Sequence, residues 1–267
     1  MKYLWKESFV EKENIKIDLH DRGYQFGDGI YEVVHVYNGV LFALEEHVNR
    51  LMNSAMLIEL NLKHTKEEIE MFFKNLVELN QIENGYVYLQ VTRGDKSLRN
   101  HGFLDYEYQQ PVFSGFAHSA ARDENKMKNG VESITVPDVR SLMCNVKSLN
   151  LLPNCLAKHA AQKKGVSKAI LIRDNIVTEE KSGNVFIMKD GIVLTHPDGN
   201  KILPGITKKL IIGLLHEKNI PVWEKEFTRE ELLQADEVIV TDTNGEITPI
   251  IKIDGISIGD GKRGKLT

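Results

Sequence analysis

Four segments of the 267-residue chain hold residue types that could do chemistry: DRGYQFGDGIYE at 21–32, VTRG followed by RNH at 91–101, VKSLNLLPN at 146–154 and VTEEKSGNVF at 177–186. They carry an amine, Lys147, and a carboxylate, Glu179, at the end of a strand-like run. They also carry a phenol, Tyr31, and a loop with a cation, Arg99, next but one to His101. Elsewhere, Arg50 offers a planar fork of fixed positive charge, a shape suited to phosphate. Gly205, Ile206 and Thr207 open a helix whose first N–H groups lack partners and can bind an anion. Thr243, just after a strand, is a further anion-ligand candidate. Singly, each has an ordinary explanation: a solvated lysine, a turn glutamate, a helix arginine, a polar loop, a helix start after Pro204. Several chemistries are excluded. The chain has no G-x-x-x-x-G-K-[ST] loop, no H-E-x-x-H and no G-x-S-x-G. Gly27-Asp28-Gly29 does not begin a dinucleotide fingerprint, because Glu32 stands where the third glycine belongs. Spacing alone leaves a two-domain soluble α/β protein whose enzymatic role is open.

The elements that must position these groups follow from periodicity. YEVVHVYNGVLFA at 31–43 reads as two strands joined at Asn38-Gly39. Residues 45–59 read as a helix with Val48, Leu51, Met52, Ala55 and Ile58 on one face, and His47, Arg50 and Ser54 on another. A second helix covers 66–80. Strands follow at 86–93 and 111–118 with a polar loop, 94–110, between them. Charged SAARDENKMKNG at 119–130 reads as linker. Beyond it, strands are expected near 131–137, 168–173, 176–178, 184–188, 192–195, 236–241 and 247–253. A helix is expected at 206–218 with Leu210, Ile211, Leu214 and Leu215 on its apolar face, and a short one after a Thr228/Glu231 capping box. The division is a smaller N-terminal α/β domain at 1–119, a linker at 120–130, and a larger, sheet-rich C-terminal domain at 131–267.

Composition agrees with a soluble globular chain: 42% apolar, 27% charged, net charge −4. That charge implies no basic surface for nucleic acid. Charges interrupt the N-terminus every few residues, so no signal peptide is expected there. No apolar run is long enough to span a membrane. Cys144 and Cys155 form no CxxC, and two free thiols in a reducing cytoplasm are expected.

In this order, and with GIT at 205–207 and EITP at 246–249, the four segments resemble the fold-type IV pyridoxal-phosphate aminotransferases. The RNH element is similar to that of the D-amino-acid aminotransferase group. The resemblance covers the whole chain and implies a two-domain mixed α/β fold with pyridoxal 5'-phosphate between the domains. It implies that Lys147 holds the cofactor as a Schiff base and moves the substrate proton, and that Glu179 pairs with the pyridine nitrogen. Arg50, Gly205, Ile206, Thr207 and Thr243 would hold the phosphate. Tyr31, Arg99 and His101 would trap the substrate carboxylate, the last two arriving from a neighbouring subunit, so a homodimer is implied. The activity implied is ping-pong transamination of D-amino acids, such as D-alanine and D-glutamate, with 2-oxo acids.

The chain departs from the family pattern in three places. Glu180, Lys181, Ser182 and Gly183 stand where small residues usually follow the glutamate, and are expected either to swing outward or to alter the charge of the site. Asp242 replaces a usual serine or threonine, and a carboxylate facing phosphate would repel it; Asp242 is expected to point away, or the cradle to differ. Relatives continue past the position of Thr267 into another helix, which implies an apolar surface there. Two alternatives stay open: a branched-chain L-aminotransferase or aminodeoxychorismate lyase, and a catalytically impaired relative that only binds cofactor or partners.

Overall fold

The computed structural model describes residues 1–94 and 98–267. They gather into two compact units: Met1–Ala121 with Val146–Asn150, and Arg122–Asn145 with Leu151–Thr267. Residues 95–97 of the expected 94–110 loop lie outside the described residues.

In the first unit, β1 (Tyr3–Trp5), β2 (Ser8–Val10), β3 (Gly29–Tyr37), β4 (Val40–Leu41), β5 (Gly85–Thr92) and β6 (Val112–Ser119) form an antiparallel sheet in the order β2-β1-β6-β5-β3-β4. The Asn38-Gly39 turn has positive φ at both residues, 49° and 78°, the conformation a two-residue hairpin requires. α1 (Arg22–Phe26) is a single capped turn. α2 (Leu44–Leu57) and α3 (Lys66–Asn80) pack Val48, Leu51, Ile69, Phe73 and Leu76 against Ile30, Val34, Val36, Val87 and Leu89. The alternation of β3 is what places its chemistry. Ile30, Glu32, Val34 and Val36 point into the core, all fully buried, while Tyr31 faces the other side with Tyr88 stacked on it.

The second unit holds β7 (Val131–Pro137), β8 (Lys168–Arg173), β9 (Ile176–Glu180), β10 (Asn184–Lys189), β11 (Ile192–Thr195), β12 (Val222–Glu224), β13 (Glu237–Asp242), β14 (Glu246–Ile253) and β15 (Ile256–Ser257). Their sheet runs β12-β11-β10-β13-β14-β7-β8-β9, with β15 on β14. It is mixed: β12 on β11, β7 on β14 and β8 on β7 are parallel. α4 (Glu124–Asn129), α5 (Leu152–Lys163), α6 (Ile206–Glu217) and α7 (Arg229–Leu233) complete it. The Thr228/Glu231 capping box opens α7.

Three local differences from the sequence expectation have physical reasons. α4 forms within the stretch read as linker, capped by the Asp123 side chain on Lys126 N–H. α5 has no large apolar stripe to betray it, for only Ala157 and Ala161 are buried. α6 turns its core face further round than expected. Leu210 and Leu214 are exposed, while Ile211, Ile212, Leu215 and the buried Lys208 pack inward. Lys208 is tolerated there because its Nζ reaches Asp198 at 2.7 Å and Glu224 at 2.8 Å. The two cysteines are unpaired.

Candidate active site

Lys147 is held by its backbone. Segment 146–150 lies along the open start of β3, where Ser148 bridges Ile30. The Lys147 carbonyl accepts from Tyr31 N–H at 3.0 Å, and its N–H donates to Ser54 Oγ at 3.2 Å. Leu149 N–H completes the ladder on Gly29 O, and Asn150 donates to Gly27 O. The side chain carries Nζ to 4.3 Å from the Tyr31 ring centroid. Among the described residues no carboxylate forms an ion pair with it.

Behind it, the polar face of α2 is buried rather than solvated. Glu32 accepts from Arg50 Nε at 2.7 Å, from Arg50 Nη2 at 2.9 Å, and lies 2.8 Å from His47 Nδ1. Burial pushes the Glu32 carboxyl up, but Arg50 and His47 outweigh it and hold the group at about 2. Burial, aided by the charges of Arg50 and Lys147, holds the His47 ring below its ordinary value against the pull of Glu32. Because the Glu32 pKa is depressed, its stabilisation is present above the ordinary value of 4.5 and is lost as pH falls from there through about 2. Glu32→Leu removes the carboxylate that accepts two Arg50 N–H groups and faces His47. It is expected to lower the unfolding free energy by about 3 kcal/mol, read by urea melts of the apoprotein at neutral pH. A loss below about 1 kcal/mol would show that Arg50 finds other compensation.

The DRGYQFGDG string is built to hold a loop. Asp21 caps α1 at Gly23 N–H, 2.8 Å, and accepts from Thr92 Oγ1, 2.7 Å. A Cβ on Gly23 would meet Thr92 Cγ2 at 2.2 Å, and Gly27 ends the turn at φ 66°. Arg22 is buried. It donates through Nη1 to Asn100 O and Gly102 O and through Nη2 to His101 O, while Asp28 takes its Nε and that of Arg93. The side chains of Arg99 and His101 both lie against Phe26, at 4.8 Å and 5.2 Å.

In the second unit Glu179, near the end of β9, is buried. Arg140 donates through Nη1 to its Oε1, while Oε2 accepts from Leu203 N–H at 3.1 Å and Asn184 Nδ2 at 3.3 Å. Arg140 is fixed in turn by two bonds to Asp138, which also takes the Thr178 hydroxyl. Burial raises the Glu179 carboxyl to about 7 despite Arg140 and the Leu203 N–H. Burial thus opposes the Glu179 charge while the Arg140 ion pair favours it.

α6 begins at Gly205 with no side-chain cap and no acid in its first turn. A Cβ on Gly205 would meet Asn184 Oδ1 at 1.9 Å. The buried Thr241 hydroxyl has no hydrogen-bond partner among the described residues. A helix start without a side-chain cap and an orphan hydroxyl among the described residues suit a phosphate group. Thr243 stands in the turn after β13. Glu180 and Lys181 do not swing outward. Glu180 is fully buried and accepts from Ser182 N–H and Oγ, and Lys181 Nζ lies 3.2 Å from it. Asp242 turns to Lys168, 2.9 Å away.

The structure thus brings Lys147 onto Tyr31, Arg50 onto Glu32, and Arg99 with His101 onto one ring. Glu32, Arg22, Arg140 and Lys168 are charged partners, paired with Arg50, Asp28, Glu179 and Asp242, that sequence reading did not single out. Only the first two lie inside a recognised motif.

A model of the amino-transferase class IV family matches residues 29–253. A protein named D-alanine aminotransferase from Listeria monocytogenes serotype 1/2a is 46% identical over all of this chain and 92% of its own. One of the same name from Staphylococcus haemolyticus is 46% identical over 97% of this chain and 91% of its own. Among solved structures, a branched-chain aminotransferase from the thermophilic archaeon Thermoproteus uzoniensis, with norvaline, aligns at a TM-score of 0.87 and 29% identity, covering 100% of this chain and 90% of that one.

Proposed function

The chain belongs to the class IV amino-transferases, and from that membership we propose that it moves amino groups between D-amino acids, D-alanine and D-glutamate among them, and 2-oxo acids. It is a pyridoxal-phosphate-dependent transaminase and works by two half-reactions in ping-pong order. Bound to the protein, the cofactor supplies an aldehyde that carries the amino group and a ring that takes up the electrons left when Cα loses its proton.

The residues are assigned as follows. Lys147 Nζ would hold the cofactor and move the proton at the substrate Cα. Glu179, oriented by Arg140, holds a proton at the ring nitrogen. Arg50, its plane set by Glu32, binds the phosphate together with Gly205, Ile206, Thr207 and Thr243. Tyr31 binds the substrate carboxylate with Arg99 and His101, which come from a second copy of the chain on the loop that Arg22 clamps. A homodimer is therefore part of the reading. The cytoplasm is its place, where thiols such as the unpaired Cys144 and Cys155 stay reduced. Among the described residues no helix is long and apolar enough to cross a membrane.

The observation that carries the reading is the setting of Lys147: a backbone pinned to β3 and α2, with the amine over Tyr31 and unclaimed by any described carboxylate. The test is a steady-state assay of purified protein against D- and L-amino acids with 2-oxoglutarate or pyruvate. D-alanine is expected to react with parallel-line kinetics and L-alanine to be inert. Preference for branched L-amino acids would replace the D-specific reading. Sedimentation of the same preparation is expected to give a dimer, and a fully active monomer would overturn the shared carboxylate trap.

A further inference from the structure

Lys168 stands where two carboxylates meet. It opens β8, its side chain is 11% exposed, and its Nζ lies 2.9 Å from Asp242 Oδ2 and 3.9 Å from Glu180 Oε2. Glu180 has further donors in Ser182 and Lys181. Asp242 accepts in addition from the N–H groups of Asn244 and Gly245, which curls the turn carrying Thr243 around its carboxylate. Burial opposes both charges, yet the two acids hold Lys168 above its ordinary value. Lys168 and the turn amides hold Asp242 below its own.

The place of this cluster matters. Asp242 ends β13, and its neighbour Thr241 pairs with Asn184 of β10. The Asn184 amide donates to Leu203 O at 2.9 Å, and its Oδ1 fills the space a Gly205 side chain would need. One residue, Asn184, therefore pairs through its backbone with the end of β13 and through its side chain with the segment that leads into α6. A carboxylate here sits beside the two elements assigned to a phosphate dianion, and left unpaired it would repel that dianion.

We propose that Lys168 is a positioning residue for cofactor binding: by neutralising Asp242 it lets the Thr243 turn and the α6 start accept a phosphate next to a carboxylate. The inference rests on the reading that these two elements hold the phosphate.

The test compares apoprotein of the wild type, Lys168→Met, Asp242→Ser and the double variant. Each is titrated with pyridoxal 5'-phosphate and with pyridoxal, which lacks the phosphate, by visible absorbance. Left uncompensated, the Asp242 charge is expected to lower affinity for the phosphate by roughly ten-fold or more. Lys168→Met is expected to lose that factor for pyridoxal 5'-phosphate and less than about two-fold for pyridoxal. Asp242→Ser is expected to restore most of it in the double variant. Equal loss for both aldehydes, no loss, or no recovery overturns the role of Lys168. Should Lys168→Met fail to fold, Lys168→Gln, which keeps a hydrogen-bond donor for Asp242 but no charge, takes its place with the same expected and overturning results. A wild-type protein that binds both aldehydes equally overturns the phosphate site itself. A wild-type preference that Thr207→Val weakens and Lys168→Met does not overturns only the lysine's part.

Discussion

Lys147→Ala is expected to lose transamination by about 10⁴-fold or more and, with it, the visible cofactor absorption of the purified protein, while the apoprotein is expected to unfold within about 0.5 kcal/mol of the wild type. The two halves of this result have separate causes. The fold does not depend on the amine. What holds segment 146–150 is the Lys147 carbonyl on Tyr31 N–H, the Lys147 N–H on Ser54 Oγ and the Leu149 rung on Gly29, and alanine keeps all three. No described carboxylate is stranded when Nζ goes. The chemistry loses both its anchor and its proton carrier, since no other amine is placed over Tyr31 among the described residues. Added methylamine, supplying a free amine of similar basicity, is expected to restore a small part of the rate. Activity above about one per cent of the wild type would remove Lys147 from its assigned role, and a large loss of stability would show that the amine is structural.

Much of this arrangement is legible in the sequence, and the parts that are not share a cause. Strand alternation and helix periodicity give β3, α2, α3 and the extent of α6, though not its inward face, and the motifs single out Lys147 and Glu179. What local pattern cannot show is the partner of a buried charge. Glu32 interrupts an apolar row in β3, and His47, Arg50 and Ser54 recur at helical spacing on α2, but nothing within either element says that the two rows meet. The same holds for Lys168 and Asp242, which are 74 residues apart. Asp242 looks incompatible with a phosphate site only while its cation is unknown. Glu180 and Lys181 look misplaced only until both are seen turned onto Ser182 and each other. α5 escapes notice because its packing uses alanines, which leave little amphipathic signal.

Glu179→Gln is expected to lower kcat by roughly 10²–10³-fold while leaving the protein folded, and to change how apoprotein stability depends on pH. The fold tolerates the change because Arg140 keeps its two bonds to Asp138, so no cation is stranded. Glutamine can still accept from Leu203 N–H, but it cannot hold a positive ring nitrogen, and the rate loss follows from that. The pH effect has a definite sign. Burial lifts the Glu179 carboxyl from 4.5 to about 7, against Arg140 and with Asp138 adding to the lift; Cys144 stands beside the same cluster. Between those values the folded apoprotein binds a proton that the unfolded chain has released, so stability falls as pH rises. The penalty is complete above about 7 and amounts to roughly 3 kcal/mol at most. Glutamine has no such titration. The melting temperature of the Gln variant, measured relative to wild-type apoprotein, is therefore expected to rise between about pH 5 and pH 8, and to rise less once cofactor is bound, because a protonated ring nitrogen opposite Glu179 stabilises its charge. A difference that stays flat with pH would mean that Arg140 keeps Glu179 ionised across this range, whereas a kcat left unchanged in the Gln variant would remove Glu179 from its assigned role.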